Sequence, residues 1–253
     1  MTWDARQRGM LEAMGLKVWG EEAVAVVEPI IEPVSMATPQ TKPESKFAAE
    51  PSARAKAIAG MDWPALRESV AACRACALCE GRKQTVFGVG NLAAHWMIVG
   101  EAPGEQEDAS GEPFVGESGQ LLDKMLRAVG LGREDAAPDR QVFIANTLKC
   151  RPPRNRNPEA AELVQCEPFL NRQIALVQPK MILAMGRFAV QSLLRSKEPV
   201  GRLRGRVHDY QGVPLIVTYH PAYLLRSPAD KAGAWADLCL ARDTLASVGG
   251  ELR

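Results

Sequence analysis

The stretch that decides the fold is WMIVGEAPG, residues 96–104, in which an unbroken apolar run leads into a loop with glycine and proline. Continuous rather than alternating apolar residues are typical of a strand that is buried on both faces of a parallel sheet. Runs of the same kind occur at residues 142–145 (VFIA), 181–184 (MILA) and 215–218 (LIVT). The four runs therefore predict the strands of one sheet.

Helical patterns separate these runs and follow the last one, at residues 120–129, 159–177, 187–194 and 229–248. Strands that alternate with helices predict a doubly wound α/β domain. We expect a three-layer sandwich around a central, mainly parallel, four-stranded sheet. Ligands of such folds bind beyond the carboxyl ends of the strands, so the loops after the strands are the first places to search for chemistry.

The 253-residue chain divides unevenly. Residues 1–20 contain a short helical pattern, and residues 28–57 are rich in Pro, Ala, Glu, Ser and Lys, which is typical of a flexible linker. We predict a short N-terminal helical segment plus linker over residues 1–60, and one dense domain over residues 61–253. The sequence leaves open whether the N-terminal segment is a loose tail or a docking helix for another protein.

Composition excludes several classes of protein. A hydrophobic content of 46% and a net charge of +1 exclude disorder of the whole chain and argue against a bulk nucleic-acid coat. No apolar run approaches the roughly 18 residues that span a bilayer. The first ten residues include an acid and lack the apolar region of a secretory signal, so we expect a cytoplasmic protein with no membrane contact.

The cysteines are the most informative residue type. They stand at Cys73, Cys76, Cys79, Cys150, Cys166 and Cys239. The first two form a C-x2-C pair, and fifteen residues separate the fourth from the fifth. In a reducing compartment such clusters more often bind metal than form disulfides, and four thiolates suit either a [4Fe–4S] cluster or zinc. The wide second spacing favours the iron–sulfur cluster. We expect the last cysteine to be an ordinary buried thiol.

Four loop motifs carry a resemblance to a known family. They are GEAPGEQED (100–108), GEPFVG (111–116), NTLKCRPP (146–153) and HPAYLL (220–225). Together and in this order they resemble the motifs of the family 4 uracil-DNA glycosylases, and the resemblance extends from about residue 62 to the end of the chain. It implies a flavodoxin-like domain that carries a [4Fe–4S] cluster.

The resemblance also implies the cluster ligands, which are Cys73, Cys76, Cys150 and Cys166. Some relatives have no cysteine at the position that matches Cys79, so it is left out of the ligand set.

Roles for the substrate-binding residues follow from the same resemblance. Phe114 is expected to stack on a uracil that has been flipped out of the DNA, with Gly100 beside it. The amide of Asn146 carries a donor and an acceptor that match uracil O4 and N3–H, and it would reject cytosine. A hydrogen bond from His220 to uracil O2 would strengthen as negative charge develops on the departing base.

The group that positions the attacking water is open between three carboxylates. Ala102 stands where other uracil glycosylases carry a water-activating aspartate. We take Glu101 as catalytic, because it could position water or offset charge on the sugar. Glu107 and Asp108 are the alternates, although a solvated charged turn would explain both equally well.

Contact with DNA is expected from local positive charge. Residues 149–156 contain four basic residues and no acid, and Arg151, Arg154 and Arg156 are candidates for phosphate contacts that read no sequence. Further basic stretches contain Arg82, Lys83, Arg202, Arg204 and Arg206. Leu225 and Arg226 stand where a side chain would fill the gap that the flipped base leaves.

The resemblance therefore implies an enzyme of base excision repair that hydrolyses the N-glycosidic bond of uracil in single- or double-stranded DNA. Free uracil and an abasic site would be the products, and the cluster would be structural. We expect a monomer that works in the cytoplasm at the nucleoid. The rival prediction is a non-catalytic iron–sulfur module that binds DNA or docks on a polymerase. A glycosylase that bonds covalently to the abasic sugar would need an Arg/His-rich inserted loop, which the sequence lacks.

Overall fold

The four apolar runs form the parallel centre of a mixed sheet. The computed structural model describes residues 52–133 and 136–250. Within them the strands are β1 (Val89–Gly90), β2 (Trp96–Gly100), β3 (Val142–Asn146), β4 (Met181–Met185), β5 (Val207–Tyr210) and β6 (Val213–Thr218), in the order β1-β3-β2-β4-β6-β5. Strands β3, β2, β4 and β6 are parallel to one another. The α/β class is therefore confirmed.

The prediction of four strands was wrong, because an antiparallel strand closes each edge of the sheet. Strand β1 has only two residues, which is too short to show a hydrophobic pattern. Its second residue must be glycine, because a Cβ on Gly90 would lie 1.9 Å from the carbonyl oxygen of Val142. Strand β5 is largely exposed and joins β6 through Gln211 and Gly212, both at positive φ (52° and 87°). A polar hairpin strand of this kind has no continuous apolar run to reveal it.

Helices cover both faces of the sheet. They are α1 (Ala53–Ala59), α2 (Trp63–Ala71), α3 (Leu78–Gly81), α4 (Glu105–Ser110), α5 (Glu117–Ala128), α6 (Ala160–Val177), α7 (Arg187–Leu194), α8 (Val200–Leu203), α9 (Pro221–Arg226) and α10 (Lys231–Gly250). Short 3-10 turns lie at Pro138–Arg140, Pro153–Asn155 and Pro228–Asp230. Met97 and Val99 point to the face that α6 and α7 cover, whereas Trp96 and Ile98 point to the face of α5 and α10. Successive residues of a strand alternate in this way.

Helix α1 lies inside the stretch that the sequence predicted as linker. The hydroxyl of Ser52 accepts a hydrogen bond from the backbone N–H of Ala55 (3.2 Å) and so caps the helix. Ile58 is only 2% exposed and packs in an apolar cluster with Phe169 of α6. The domain therefore extends back at least to Ser52 rather than beginning at residue 61. The predicted N-terminal helical segment and most of the linker lie outside the described residues.

None of the helices in the described part of the chain is long and apolar enough to cross a membrane.

Candidate active site

A cavity of about 230 Å³ lies beyond the carboxyl ends of the central strands. We call it the polar cavity. Four separate segments bring Glu101, Phe114, Asn146 and His220 to its walls. The first follows β2, the second lies between α4 and α5, the third ends β3, and the fourth precedes α9. The convergence matches the expectation that strand-end loops carry the chemistry.

Gly100, the last residue of β2, leaves the space that its neighbours occupy. A Cβ at this position would lie 2.4 Å from Oδ1 of Asn146 and 2.5 Å from Cζ of Phe114. Real Cβ atoms do not approach heavy atoms so closely. Position 100 therefore admits no side chain while the amide and the ring stay where they are.

Phe114 has its ring in the wall of the polar cavity and its backbone in the left-handed region. The residue is 5% exposed, and its ring stacks on that of His220 with centroids 5.4 Å apart and 28° between the planes. Its φ is 57°, a conformation that costs a bulky residue on the order of 1–3 kcal/mol. The ring also contacts apolar residues on the α5 face of the sheet.

Asn146 is 2% exposed, and its Oδ1 has no hydrogen-bond partner among the described residues. Its own backbone carbonyl accepts a hydrogen bond from Nζ of Lys149 (2.8 Å), which also binds Oε1 of Gln173 (2.7 Å). Burial lowers the pKa of Lys149 to about 8. An unpaired buried acceptor costs about 1–3 kcal/mol, so the amide is held ready for a donor that comes from outside the chain.

His220 is the N-cap residue of α9, and its Nδ1 accepts a hydrogen bond from the backbone N–H of Ala222 (3.2 Å). Burial and the nearby charge of Arg226 lower the pKa of the ring to about 4, with Glu107 opposing them. The imidazole is therefore neutral at pH 7, and the bond at Nδ1 assigns the ring proton to Nε2. A neutral ring of this tautomer donates from Nε2.

The three candidate carboxylates differ in what they bind. Glu101 lies in the wall of the polar cavity, and burial raises its pKa against the opposing charge of Arg187. Glu107 is buried and accepts hydrogen bonds from three backbone N–H groups, those of Gly104 (3.0 Å), Val115 (3.0 Å) and Gly116 (3.1 Å).

Asp108 is also buried and accepts from the backbone N–H of Lys83 (3.0 and 3.1 Å). The alternative of a solvated charged turn is therefore wrong for Glu107 and Asp108. Both carboxylates anchor loops.

A second cavity, which we call the thiol cavity, is lined by Cys73, Cys76, Cys79, Cys150 and Cys166. Three N–H groups donate to its sulfurs: Nη1 of Arg82 to Cys150 (3.0 Å), the backbone of Lys149 to Cys166 (3.3 Å), and Nη2 of Arg54 to Cys73 (3.5 Å). Burial raises the pKa of the Cys166 thiol to about 12, and those of Cys150 and Cys76 are raised as well.

Within residues 52–133 and 136–250, no three or more His, Cys, Asp or Glu side chains are arranged so that they could hold a single metal ion. A four-iron cluster instead takes one thiolate at each iron, so it needs four separated thiols rather than three side chains around one point.

The predicted DNA-contact residues fall into two groups. Arg154, Leu225 and Arg226 are exposed. Arg151 and Arg156 are only partly exposed and bind acids: Arg151 contacts Glu105 (3.4 Å), and Arg156 contacts Glu162 (2.6 Å).

Two arginines of the other basic stretches have internal partners. Arg82 binds Cys150, and Arg204 binds the buried Asp237 (3.0 Å). The basic stretches are therefore not one uniform surface for DNA.

Some residues of the polar cavity had escaped the sequence reasoning. Ser118, Pro152 and Asn155 belong to its walls. Asn155 lies in the basic segment and accepts a hydrogen bond from Nε of Arg151 (2.7 Å). The four basic residues of this segment predict contact with DNA, and that prediction left out the side-chain amide of Asn155 among them.

Sequence comparison agrees with this architecture. Residues 87–239 match the family model of the uracil DNA glycosylase superfamily. A type-4 uracil-DNA glycosylase of Saccharolobus solfataricus is 39% identical over 191 residues, which is 72% of this chain and 86% of the relative. That of Pyrobaculum aerophilum is 41% identical over 190 residues, or 71% and 93% of the two chains. That of Thermotoga maritima is 41% identical over 166 residues, or 65% and 83%.

The fold and the cavity at its strand ends are thus those of a uracil-DNA glycosylase domain. The chain belongs to the uracil-DNA glycosylase superfamily and, within it, to the type-4 uracil-DNA glycosylases.

Proposed function

We propose that the protein is a DNA repair enzyme that hydrolyses the N-glycosidic bond of uracil in DNA, releasing free uracil and leaving an abasic site. The observation that carries the proposal is that one cavity contains both the buried amide oxygen of Asn146, which has no hydrogen-bond partner in the described part of the chain, and the neutral imidazole of His220. An acceptor and a donor of this kind complement the polar edge of uracil.

Asn146 is proposed to select the base. Uracil offers N3–H as a donor and O4 as an acceptor, which match the Oδ1 and the amide N–H of one side chain. Cytosine has no hydrogen on N3 and would leave Oδ1 unpaired in a buried site. A site built around a hydrogen bond rejects a base that cannot form it, because the desolvated group stays without a partner.

His220 is proposed to stabilise the leaving group. As the bond from uracil N1 to the sugar breaks, negative charge spreads onto O2, and the Nε2–H of a neutral ring donates to it. The low pKa supports a hydrogen-bond donor rather than a general acid, since the neutral imidazole carries no additional proton to give to the base at neutral pH. A hydrogen bond that strengthens in the transition state accelerates the reaction, whereas uniform binding does not.

Phe114 and Gly100 are proposed to hold the plane of the base. The buried ring of Phe114 offers an aromatic face in the cavity wall, and bases flipped from DNA are commonly stacked on such faces. Gly100 is proposed to contribute by having no side chain, since a methyl group there would displace both the ring and the amide.

Glu101 is proposed to act on the water or on the positive charge of the sugar. Its carboxyl lies in the cavity wall, and its raised pKa is that of a poorly solvated carboxylate, which attracts a proton or a cation more strongly than a solvated one. Glu107 and Asp108 are occupied by backbone N–H groups, which supports Glu101 as the carboxylate available for chemistry.

We also propose a [4Fe–4S] cluster bound by Cys73, Cys76, Cys150 and Cys166. The thiols line one cavity, and N–H groups donate to three of the four sulfurs, as is common around iron–sulfur clusters. When bound, the cluster supplies iron–thiolate bonds that join the α2–α3 segment to the loop after β3. Cys79 also lines the cavity, and its exclusion from the ligand set stays a prediction.

DNA is the proposed partner, with Arg154, Leu225 and Arg226 as exposed contact residues and Arg151 and Arg156 beside them. Such a substrate is consistent with action in the cytoplasm at the nucleoid. The monomeric state, the preference for single or double strands and a protein partner for the N-terminal segment stay predictions.

The test is excision from oligonucleotides that carry one uracil, in single- and double-stranded form, followed by alkali to break the chain at abasic sites. Breaks at the uracil, and none in matched oligonucleotides with thymine or cytosine, are the expected result. Asn146→Ala serves as the impaired variant. DNA binding without breaks in either form would reject the proposal and favour the rival, a non-catalytic iron–sulfur module.

A further inference from the structure

The conformation of Phe114 is not explained by the residue itself. A phenylalanine at φ 57° lies in a region that L side chains avoid. Its two neighbours in the chain, Pro113 and Val115, do not have a positive φ. Contacts from outside the loop must therefore hold this one residue in place.

Arg133, in the loop after α5, makes those contacts on one side. Its Nη1 donates to the carbonyl oxygen of Pro113 (2.9 Å), and its Nη2 donates to that of Phe114 (2.7 Å). Its Nε donates to Oδ1 of Asp123 on α5 (2.8 Å). The arginine side chain is 19% exposed, so water screens these bonds only in part. A rigid guanidinium fork that is fixed at its Nε also fixes the two carbonyls it binds.

Glu107 holds the same loop from the other side. Its Oε1 accepts from the backbone N–H groups of Val115 and Gly116. The carbonyl of Phe114 and the N–H of Val115 belong to one planar peptide unit. Arg133 binds that unit at its oxygen and Glu107 binds it at its nitrogen. These two contacts fix ψ of Phe114. Its φ changes by rotation of the preceding Pro113–Phe114 peptide unit, and that rotation would break the hydrogen bond from Arg133 to the Pro113 carbonyl.

Gly119, in the first part of α5, provides the room that this arrangement needs. A Cβ at position 119 would lie 1.8 Å from the carbonyl oxygen of Phe114. The oxygen thus fits between the backbone of α5 and the guanidinium of Arg133. Any side chain at position 119 would displace this oxygen from its present place.

We propose that Arg133, braced by Asp123, is a positioning residue for uracil capture. It fixes the peptide units on both sides of Phe114 so that the phenyl ring stands in the wall of the polar cavity against Gly100 and His220. Arg133 is not among the described residues that line this cavity, so it acts through Phe114. The inference rests on the proposed excision of uracil and adds a residue that belongs to none of the loop motifs.

The experiment compares single-turnover excision by wild type, Arg133→Gln, Arg133→Lys and Asp123→Asn. We expect Arg133→Gln to lower the rate by about ten- to a hundredfold, the scale of a misplaced substrate-positioning group. The other two variants should fall in between. Lys124→Gln is the matched control, because this exposed side chain is next to Asp123 and should leave the rate unchanged.

Two further readouts separate positioning from general damage. In a Phe114→Ala background, Arg133→Gln should cause no further loss, because its only route to the base has been removed. DNA that contains an abasic-site analogue has no base to stack on Phe114. The affinity of Arg133→Gln for this DNA should therefore stay within about twofold of the wild-type affinity. Three outcomes would each overturn the inference. Arg133→Gln could lower the excision rate as much in the Phe114→Ala background as in wild type, it could lower the affinity for the analogue as much as it lowers the rate, or it could keep the full wild-type rate.

Folding and function are kept apart in the design. If Arg133→Gln does not fold, Arg133→Lys and Asp123→Asn decide by the same comparisons. If wild type excises no uracil, the proposed function fails, and crystal structures of wild type and Arg133→Gln still test the positioning role. Phe114 should keep a positive φ in wild type and lose it in the variant. A positive φ in both would refute the role.

Discussion

The polar cavity and the thiol cavity lie at the two ends of one short segment, residues 146–150, and they are built in opposite ways. In the polar cavity the groups that fix the walls are paired and the imidazole is neutral: Glu107 accepts from three backbone N–H groups, and His220 accepts one at Nδ1. The buried Oδ1 of Asn146, by contrast, has no partner there among the described residues. In the thiol cavity burial raises the pKa of Cys166 to about 12, so the charged form that binds metal is disfavoured there.

The contrast teaches where each site obtains its stability. The polar cavity is assembled before any ligand arrives, which is what catalysis by preorganised hydrogen bonds requires. Thiolates in the thiol cavity would become favourable only when a metal compensates their burial, so binding of the proposed cluster would be coupled to folding there. Lys149 connects the two, because its Nζ binds the Asn146 carbonyl while its backbone N–H binds Cys166.

The largest effect is expected from damage confined to the polar cavity. His220→Ala removes the proposed donor to uracil O2 and should lower the single-turnover rate by about 10²- to 10³-fold, as for other oxyanion donors. Its iron content should match wild type, and its melting temperature should fall by only a few degrees, because the N-cap bond from Ala222 is lost. His95→Ala is the matched control, since its ring lies outside the described walls of this cavity. A rate within tenfold of wild type in His220→Ala would contradict the proposed role.

Adding a single methyl group should act almost as strongly. Gly100→Ala places a Cβ 2.4 Å from the Asn146 amide and 2.5 Å from the Phe114 ring, so both must move. A displacement of about 1 Å at a reacting group costs about 10²-fold, which is the expected loss of excision. Gly81→Ala provides the control, because its Cβ would meet no atom within 4 Å. Equal rates for the two variants would show that the amide and the ring are not held as described.

Damage to the thiol cavity should show first in metal content and stability. Cys150→Ser and Cys166→Ser should lose iron and melt about 10 °C lower, given a contribution of several kcal/mol from the bound metal. Excision should decline as a consequence, through Lys149 and Asn146. Cys239→Ser should keep its iron, since Cys239 is not among the described residues that line the cavity. Cys79→Ser tests the ligand set, and loss of iron in this variant would require its revision.

A smaller and more specific effect concerns pH. The pKa of His220 is lowered to about 4 from an ordinary value of 6.5. Between these values the unfolded chain binds a proton that the folded chain excludes, so stability should fall as pH drops from about 6.5 to about 4. NMR titration of the imidazole nitrogens should show His220 neutral, with its proton on Nε2, at pH 5.5. A midpoint near 6.5 for this ring would remove the physical basis for a neutral donor.

The sequence predicted the centre of the sheet because burial on both faces leaves a continuous apolar run, as in MILA at residues 181–184. It missed β1 and β5 because an edge strand of two residues or of polar residues carries no such run. It brought Asn146 and His220 together because parallel strands end at one edge. It could not reveal Arg133, whose role depends on two carbonyl oxygens across a loop, and a basic residue in a turn resembles any solvated charge.

The same limit explains the basic residues. Four of the five predicted DNA-contact residues are arginines, and charge along the chain could not show which of them already bind an acid. Arg156 binds Glu162 at 2.6 Å and Arg151 contacts Glu105, whereas Arg154 and Arg226 are exposed. Pairing is a property of the fold, and so the proposed phosphate-binding surface is narrower than the sequence suggested.

The smallest expected effect tests that narrower surface. Arg154→Gln and Arg226→Gln should each weaken DNA binding severalfold and reduce the slope of log affinity against log salt by about 1, because each cation releases about one counterion. Arg156→Gln should change the slope less, since its guanidinium already binds Glu162. Arg242→Gln, on the exposed face of α10 where the arginine pairs with Asp243 (2.9 Å), is the control for a change in net charge away from the polar cavity. Equal slopes for Arg154→Gln and Arg242→Gln would mean that phosphate contact depends on total charge, and the distinction between paired and exposed arginines would then fail.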